Sequence, residues 1–312
     1  MNKPPRIRYR DLHGIVLLDK PLGLSSNQAL QGVRRLLRAA KGGHAGALDP
    51  LASGLLPLCF GEATKLAGTL LGASKGYLAE CRLGISTDTG DREGAVIARQ
   101  RVPELDREAV EAALAPLRGS IRQVPPMYSA LKQDGERLYV KARRGESVHR
   151  PAREVVVHRL ELLSREGDTL QLLVECGSGT YVRSLVADLG AAWGCGAHLS
   201  ALRRTWVDPF RTPRMVTMAE LEQAAEQGDE ALLRHLLPVA EGLRNLPSVN
   251  LDEAQTTAIS RGQPIQLDAS VPAGRCAAFA PDGGLLAVLE LDDARQSRIL
   301  RGFNLPPAGG FA

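Results

Sequence analysis

Residues 42–57 read GGHAGALDPLASGLLP, in which one histidine and one aspartate stand in a stretch otherwise made almost wholly of glycine, alanine, leucine and proline. Asp49-Pro50 is typical of a turn, because aspartate hydrogen-bonds the backbone ahead of it and proline has a fixed φ. The alternative is that small residues let a large substrate approach closely, and that Asp49 reacts with it. The stretch alone favours the turn, so the surrounding sequence has to decide between the two interpretations.

The sequence before this stretch predicts a strand followed by a helix. GIVLLDK (14–20) is a short apolar segment that Pro21 ends, and Ser25 or Ser26 caps a helix that runs to about residue 41. Gly42-Gly43 is expected to stop this helix. The stretch at 42–57 therefore begins in a loop.

The sequence after it mixes strands and helices, and hairpins outnumber clean strand–helix–strand units. This pattern predicts an α+β fold, in which a mixed, largely antiparallel central sheet is flanked by helices. From about residue 250, short segments separated by Gly/Pro turns predict a small all-β appendage. The expected strands are 76–86, 94–102, 154–164 and 169–176, and the expected helices are 62–72, 106–117, 184–193 and 221–238.

Composition excludes several classes of protein. The 312 residues are 44% hydrophobic and 24% charged, which suits one large domain plus a small one. No apolar run approaches the ~20 residues of a membrane span, and the first residues lack the apolar core of a secretory signal. We therefore expect a cytoplasmic protein with no membrane partner. The five cysteines include no C-x-x-C pair and the six histidines no H-E-x-x-H pattern, so neither a disulfide framework nor a metal site is predicted.

The charge distribution suggests a polyanionic partner. The formal net charge is +4, and basic residues cluster at 6–10, at 34–41 (Arg34, Arg35, Arg38 and Lys41) and at 141–153. Such clusters suit the neutralisation of phosphates. Each one alone could equally be a solvated surface.

A second charged residue of interest lies in CGSGTYVRSLVADLG (176–190). Gly177 and Gly179 resemble the start of a dinucleotide-binding fingerprint, but Val182 stands at its third glycine position. Tyr181 and Arg183 are two residues apart, and so lie on one side if the segment is extended. A guanidinium can keep a buried carboxylate ionised, although spacing alone does not distinguish this role from that of a surface or phosphate-binding arginine.

Six motifs in order closely resemble the TruB family of tRNA pseudouridine synthases, over roughly residues 10–210. They are DKPLGLSSN, GHAGALDPLASGLLPLCFGEATKL, KGYLAECRLGISTDTGDREG, VPPMYSALKQDGERLYVKARRG, GSGTYVRSLVADLG and GCGAHLSALRRT. The resemblance implies a pseudouridine synthase domain over 10–245, a PUA-like RNA-binding domain over 250–312, and isomerisation of uridine 55 in the T-loop of tRNA. The C–N glycosidic bond is broken and a C–C bond forms between C1′ and C5. This chemistry implies no cofactor.

The resemblance also implies catalytic roles for three residues. Asp49 aligns with the essential nucleophile, and whether it attacks C1′ or the base stays open. Arg183 would hold and orient that carboxylate. Tyr77 aligns with the tyrosine that packs on the target ring, and is a candidate to take the proton from C5. Gly76 stands where a larger residue is common in the family, which predicts a looser hold on Tyr77.

Further residues are implied in substrate binding and support. His44 aligns with the histidine that occupies the gap left by the flipped base, and flipping costs a few kcal/mol that such contacts must offset. Tyr181 and Leu202 align with residues that contact the flipped uridine. Lys20 and Pro21 are expected to support the loop of Asp49 rather than to react.

Three alternatives accompany this hypothesis. The basic clusters also suit a non-catalytic protein that binds or folds tRNA. A glycosidase could draw a carboxylate pair from Asp19, Asp49 and Asp88. A guide-RNA-dependent relative of the dyskerin type is the third, but the absence of long basic tails favours a stand-alone enzyme without guide RNA. We expect a monomer, because no amphipathic stretch is left spare.

Overall fold

The computed structural model describes residues 9–129, 131–133, 135–146 and 148–306. Residues 6–8 of the first basic cluster and residues 307–312 of the expected C-terminal domain lie outside the described residues. The strands are β1 (Gly14–Lys20), β2 (Gly42–His44), β3 (Ala52–Phe60), β4 (Lys75–Leu83), β5 (Ile85–Thr87), β6 (Val96–Arg99), β7 (Gly119–Gln123), β8 (Lys132–Gln133), β9 (Glu136–Arg137), β10 (Arg153–Glu166), β11 (Thr169–Cys176), β12 (Ala197–Val207), β13 (Ser248–Asn250), β14 (Gly274–Phe279), β15 (Leu285–Leu291) and β16 (Ser297–Gly302). The α-helices are α1 (Ser26–Leu37), α2 (Ala67–Leu71), α3 (Arg107–Leu114), α4 (Leu138–Arg143), α5 (Val182–Ala192), α6 (Met218–Glu226), α7 (Asp229–Leu233) and α8 (Glu253–Ser260).

The central sheet has eight strands in the order β1-β3-β12-β4-β11-β10-β7, with β2 paired to β3. β12 runs parallel to β3, and the other pairings in this sheet are antiparallel. Gly54 lies at the parallel step with φ +97°, and a Cβ atom there would stand 2.2 Å from the Arg204 carbonyl oxygen. Only glycine allows the two backbones to approach so closely. The predicted α+β architecture, with a mixed and largely antiparallel sheet, is confirmed.

Apolar side chains cover both faces of this sheet. One cluster joins β3, β4 and β12 to helices α1, α3, α5 and α6. A second cluster joins β1 and β3 to the 3-10 helices Gly61–Leu66 and Val239–Leu243. β3 is therefore buried along nearly its whole length. A strand with both faces covered reads as a continuous apolar run rather than an alternating one.

The C-terminal part forms a separate four-stranded sheet in the order β13-β14-β15-β16. It has its own apolar cluster, and it also packs on the central sheet, because Ala277, Leu285 and Phe303 share the second cluster with Ile15 and Leu66. The predicted small C-terminal β-rich domain is confirmed, although it is not all-β, because it includes helix α8, which begins at a capping box. The domain limits of 10–245 and 250–312 stay a prediction.

Three local expectations also differ from the structure. Helix α1 ends at Leu37 because Arg38 is left-handed (φ 52°), and residues 42–44 form strand β2 rather than a loop. The single helix expected over 221–238 is broken at Gly228, whose φ of 111° is incompatible with a helix. In the described part of the chain, no helix is both long and apolar enough to cross a membrane.

Candidate active site

The loop that carries Asp49 joins β2 to β3 and is held by the segment that follows β1. The buried Ser26 hydroxyl accepts a hydrogen bond from the Leu48 amide (2.7 Å) and donates one to the Leu48 carbonyl (3.0 Å). The Gly23 amide donates to the Pro50 carbonyl at 2.8 Å. The backbone is thus fixed on both sides of Asp49.

Lys20 is the last residue of β1, and Pro21 begins the segment that follows it. Their supporting role stays a prediction. The Lys20 ammonium is fully buried and donates to the carbonyls of Pro21 and Leu24, both at 2.7 Å. It closes the turn whose Gly23 amide holds Pro50. Burial lowers the pKa of Lys20 to about 8, and the negative charge of Asp49 opposes this shift.

Asp49 and Arg183 meet. Nη2 of Arg183 lies 3.0 Å from Oδ2 of Asp49, and the arginine side chain is 6% exposed whereas the aspartate is 47% exposed. The carboxylate therefore remains open to a substrate while its partner is buried. Arg183 lies in the first turn of α5, so the condition of an extended segment, under which Tyr181 and Arg183 would lie on one side, is not met.

A second carboxylate faces the same guanidinium. Nη1 of Arg183 lies 3.4 Å from Oδ2 of the buried Asp91 and also donates to the Thr89 carbonyl at 3.0 Å. Asp91 is itself fixed, because its Oδ1 accepts from the Thr89 hydroxyl (2.6 Å) and the Glu93 amide (3.0 Å). Nη2 of Arg183 donates to the Tyr128 carbonyl at 2.7 Å. Arg183 is therefore held from several sides.

The surroundings of Asp49 oppose its ionisation on balance. Burial raises the pKa of its carboxyl most, the Arg183 guanidinium lowers it, the Asp91 charge raises it, and the Lys20 ammonium lowers it. Arg183 thus supplies the main stabilisation of the charged form.

Tyr77 lies on β4 with its side chain buried beside Arg204 of β12. The phenol hydrogen-bonds the Arg204 guanidinium, which also donates to the carbonyls of Leu55 (2.7 Å) and Gly46 (3.1 Å). Arg204 is 1% exposed, so one buried cation joins Tyr77 to the loop of Asp49. Burial raises the pKa of Tyr77, and Arg204 opposes that shift.

The predicted looseness around Gly76 is wrong, because another side chain takes the space. A Cβ atom at Gly76 would stand 2.0 Å from Nε1 of Trp206. The indole therefore packs directly on the Gly76 backbone, and the Arg211 guanidinium stacks on the indole at 3.7 Å. The strand next to Tyr77 is held by this aromatic packing.

His44 ends strand β2, five residues before Asp49. Its Nδ1 is buried with no hydrogen-bond partner among the described residues. Burial and the Arg204 charge lower the pKa of this imidazole, which is therefore neutral at pH 7. A neutral ring with an unused polar atom suits a contact with a polar ligand.

Leu202 and Tyr181 lie on different elements. Leu202 is opposite Ala52 of β3 and Ala79 of β4, so alternation places it on the same face of the sheet as Tyr77. Tyr181 directly precedes α5, and the Arg153 guanidinium lies over its ring at 5.3 Å. Both side chains are half-buried.

The basic clusters are partly engaged in internal contacts. Arg10 and Arg38 both bind Asp229, at 2.6 and 2.7 Å, while Arg35 and Lys41 are exposed. In the segment 141–153, several arginines contact carboxylates or carbonyls of the protein. Phosphate binding by these clusters stays a prediction.

The sequence hypothesis did not include Asp91, Arg204 or Gln123, which all contact its candidate residues. TDTGDREG indicated a turn, and the contact of Asp91 with Arg183 spans 92 positions of the chain. Among the described residues, no group of three or more His, Cys, Asp or Glu side chains could hold a metal ion.

Comparison with known families and proteins gives matches over most of the chain. Residues 34–182 match the family description "TruB family pseudouridylate synthase (N terminal domain)", and residues 183–244 match "tRNA pseudouridylate synthase B C-terminal domain". Relatives named tRNA pseudouridine synthase B include those of Xanthomonas axonopodis pv. citri (54% identical, 97% of this chain and 99% of the relative) and Xylella fastidiosa (56%, 96% and 99%).

A solved structure shares the fold. The crystal structure of a Cbf5-Nop10-Gar1 complex superposes with a TM-score of 0.73 at 25% identity, over 93% of this chain and 84% of that one. The fold is thus that of a pseudouridine synthase. The chain belongs to the TruB family of pseudouridylate synthases.

Proposed function

We propose that this protein isomerises uridine 55 in the T-loop of tRNA to pseudouridine, with Asp49 as the nucleophile. The observation that carries the proposal is the 3.0 Å pair between the half-exposed Asp49 and the buried Arg183. A nucleophilic carboxylate must be both charged and accessible: the Asp49 side chain is half-exposed, and Arg183 opposes the rise in its pKa that burial causes. Relatives named tRNA pseudouridine synthase B support the choice of tRNA.

The reaction needs the uridine outside its stack. Flipping costs a few kcal/mol, which contacts to the base and to the vacated space must offset. The face that Leu202 shares with Tyr77, together with the ring of Tyr181, would contact the flipped nucleotide. His44 would fill the gap in the RNA as a neutral ring, at no cost of desolvating a charge.

The bond changes then balance without a donor or acceptor of electrons. Asp49 attacks C1′ or the base, the C1′–N1 bond breaks, the uracil turns, and C1′ bonds to C5. The bond to Asp49 then breaks and its electron pair returns to the carboxylate, which is regenerated. The proton on C5 leaves to a base and N1 gains a proton. Tyr77 is our candidate base, because it shares a face of the sheet with Leu202, and Arg204 opposes the rise in its pKa that burial causes. The proposal therefore includes no cofactor.

We extend the proposal to the partners. The protein would act as a monomer without guide RNA, because the described site is completed by segments of one chain. The C-terminal sheet would serve as a PUA-like RNA-binding domain. Lys20 and Pro21 would support the catalytic loop through the turn that holds Pro50.

The test is activity of the purified protein on a bare T-stem-loop transcript, read by mass spectrometry of nucleosides and mapping of the position. We expect pseudouridine at position 55 at unchanged RNA mass, and none with Asp49→Asn, which should still bind the RNA. Asp19→Asn is the matched control, because the half-buried Asp19 pairs with Arg203 rather than with Arg183. A requirement for added guide RNA would contradict the stand-alone enzyme. Free uracil would indicate a glycosidase, and binding without conversion a tRNA-binding protein.

A further inference from the structure

Gln123, the last residue of β7, is 2% exposed and uses both ends of its side-chain amide on one residue. Its Oε1 accepts a hydrogen bond from the Tyr181 amide at 2.7 Å, and its Nε2 donates to the Tyr181 carbonyl at 3.1 Å. The side chain thus pairs with the backbone of Tyr181 much as a neighbouring strand would. Buried amides with both ends satisfied fix the geometry of what they bind.

Tyr181 is the residue at which helix α5 begins, and its own side chain makes no capping hydrogen bond. The first turn of a helix leaves amide groups that need partners from elsewhere. Here the backbone of the N-cap residue is fixed by Gln123 instead. The direction in which α5 leaves the sheet therefore depends on β7.

The residues after Gln123 make two further contacts with the same turn. The Val124 carbonyl accepts from the Ser184 hydroxyl at 3.0 Å, and the Tyr128 carbonyl accepts from Nη2 of Arg183 at 2.7 Å. Pro125 and Pro126 lie between these two carbonyls, and fixed φ angles stiffen the segment. Four hydrogen bonds thus join residues 123–128 to residues 181–184.

We propose that Gln123 is a positioning residue for the reaction, which sets where Tyr181 and Arg183 stand relative to Asp49. This inference rests on the proposed function, and it gives a role in the reaction to a residue that does not touch the substrate. Arg183 lies two residues beyond the clamped backbone, and its Nη2 must reach Asp49 while Nη1 faces Asp91. A displacement of about 1 Å at a catalytic group can cost about 100-fold in rate.

The test uses single-turnover rates and RNA affinity for Gln123→Leu and Gln123→Glu between about pH 5.5 and 8.5. Leucine fills similar space but makes neither hydrogen bond, so the rate constant should fall about 10- to 100-fold. RNA affinity should stay within about threefold, because phosphate contacts supply most of it. Gln171→Leu is the matched control, since Gln171 donates to Glu80 on the same sheet, and should react at close to the wild-type rate.

Gln123→Glu separates positioning from a general loss of structure. A protonated carboxyl offers one donor and one acceptor, as the amide does, whereas the carboxylate can only accept. The rate of this variant relative to wild type should therefore rise as the pH falls. A Gln123→Leu rate within about twofold of wild type, or a Gln123→Glu ratio that does not change with pH, would overturn the inference.

Hydrogen exchange at the Tyr181 amide gives a readout independent of catalysis. Exchange there should be faster in Gln123→Leu than in wild type, and unchanged exchange counts against the clamp. Wild-type protein that makes no pseudouridine would refute the proposed function, while the exchange result still decides whether Gln123 holds this turn.

Discussion

Replacing Arg183 by methionine should reduce kcat/KM by about 30-fold near neutral pH. Two unit charges about 4 Å apart interact by about 4 kcal/mol at an effective dielectric constant near 20. The Asp49 side chain is 47% exposed, so solvent screens part of this energy and about half remains. A loss of about 2 kcal/mol corresponds to the stated change in rate.

The loss should depend on pH in a defined direction. Without Arg183, burial and the Asp91 charge both raise the pKa of Asp49, and the largest opposing influence is gone. The acid limb of the pH profile should therefore move to higher pH, so the variant should lose more activity near pH 6 than near pH 8. Arg183→Lys keeps a positive charge and should keep most of the acid limb in place.

The assay is kcat/KM on a T-stem-loop transcript across this pH range, with RNA affinity measured separately. Arg203→Met is the control, because Arg203 pairs with Asp19 at 2.7 Å rather than with Asp49. Removing Arg183 also leaves the buried Asp91 without a cation, so unfolding curves must accompany the rates. A loss that is the same at all pH values, or that follows RNA affinity alone, would refute the reasoning.

Three further predictions concern stability. Gly76→Ala should lower the free energy of unfolding, measured in urea, by about 1–3 kcal/mol, because the added Cβ would overlap Trp206. When Trp206→Ala is combined with Gly76→Ala, the cost of the Gly76→Ala change should be smaller, because the overlapping indole is gone. Burial lowers the pKa of Lys75 from 10.5 to about 8, so the unfolded chain binds more protons in that interval. The stability of wild type relative to Lys75→Met should therefore rise by up to about 3 kcal/mol between these pH values, at about 1.4 kcal/mol per pH unit. The raised pKa of Asp49 should have the opposite effect on stability, because here the folded chain binds more protons than the unfolded one. The stability of wild type relative to Asp49→Asn, measured by chemical denaturation, should therefore fall as the pH rises above the ordinary value of 3.8.

The type of fold could be predicted from the sequence because several helices and strands each show a clear periodic spacing of apolar residues within their own segment. β1, α1 and the hairpin of β10 and β11 follow from apolar spacing and capping residues. β3 and β12 escaped prediction, since a strand buried on both faces has no alternating pattern. Their parallel pairing joins positions about 150 residues apart, which no local signal reports.

The residues of the candidate site likewise fall into those that could be predicted from the sequence and those that could not. Asp49 and Arg183 were paired in the hypothesis because the family motifs carry both residues, and the structure places them in contact. Arg204 and Gln123 act through contacts with distant backbone, and their local sequence resembles ordinary strand residues. Such contacts form only in the assembled sheet, so they could be identified only from the structure.

Release of the hydrogen from C5 tests the central claim most directly. A T-stem-loop transcript with tritium at C5 of its uridines should lose label to water with wild-type protein and with Asp19→Asn. Asp49→Asn should release none while binding the same RNA. Tritium release by Asp49→Asn at a rate near that of wild type would contradict the assignment of Asp49 as the reacting carboxylate.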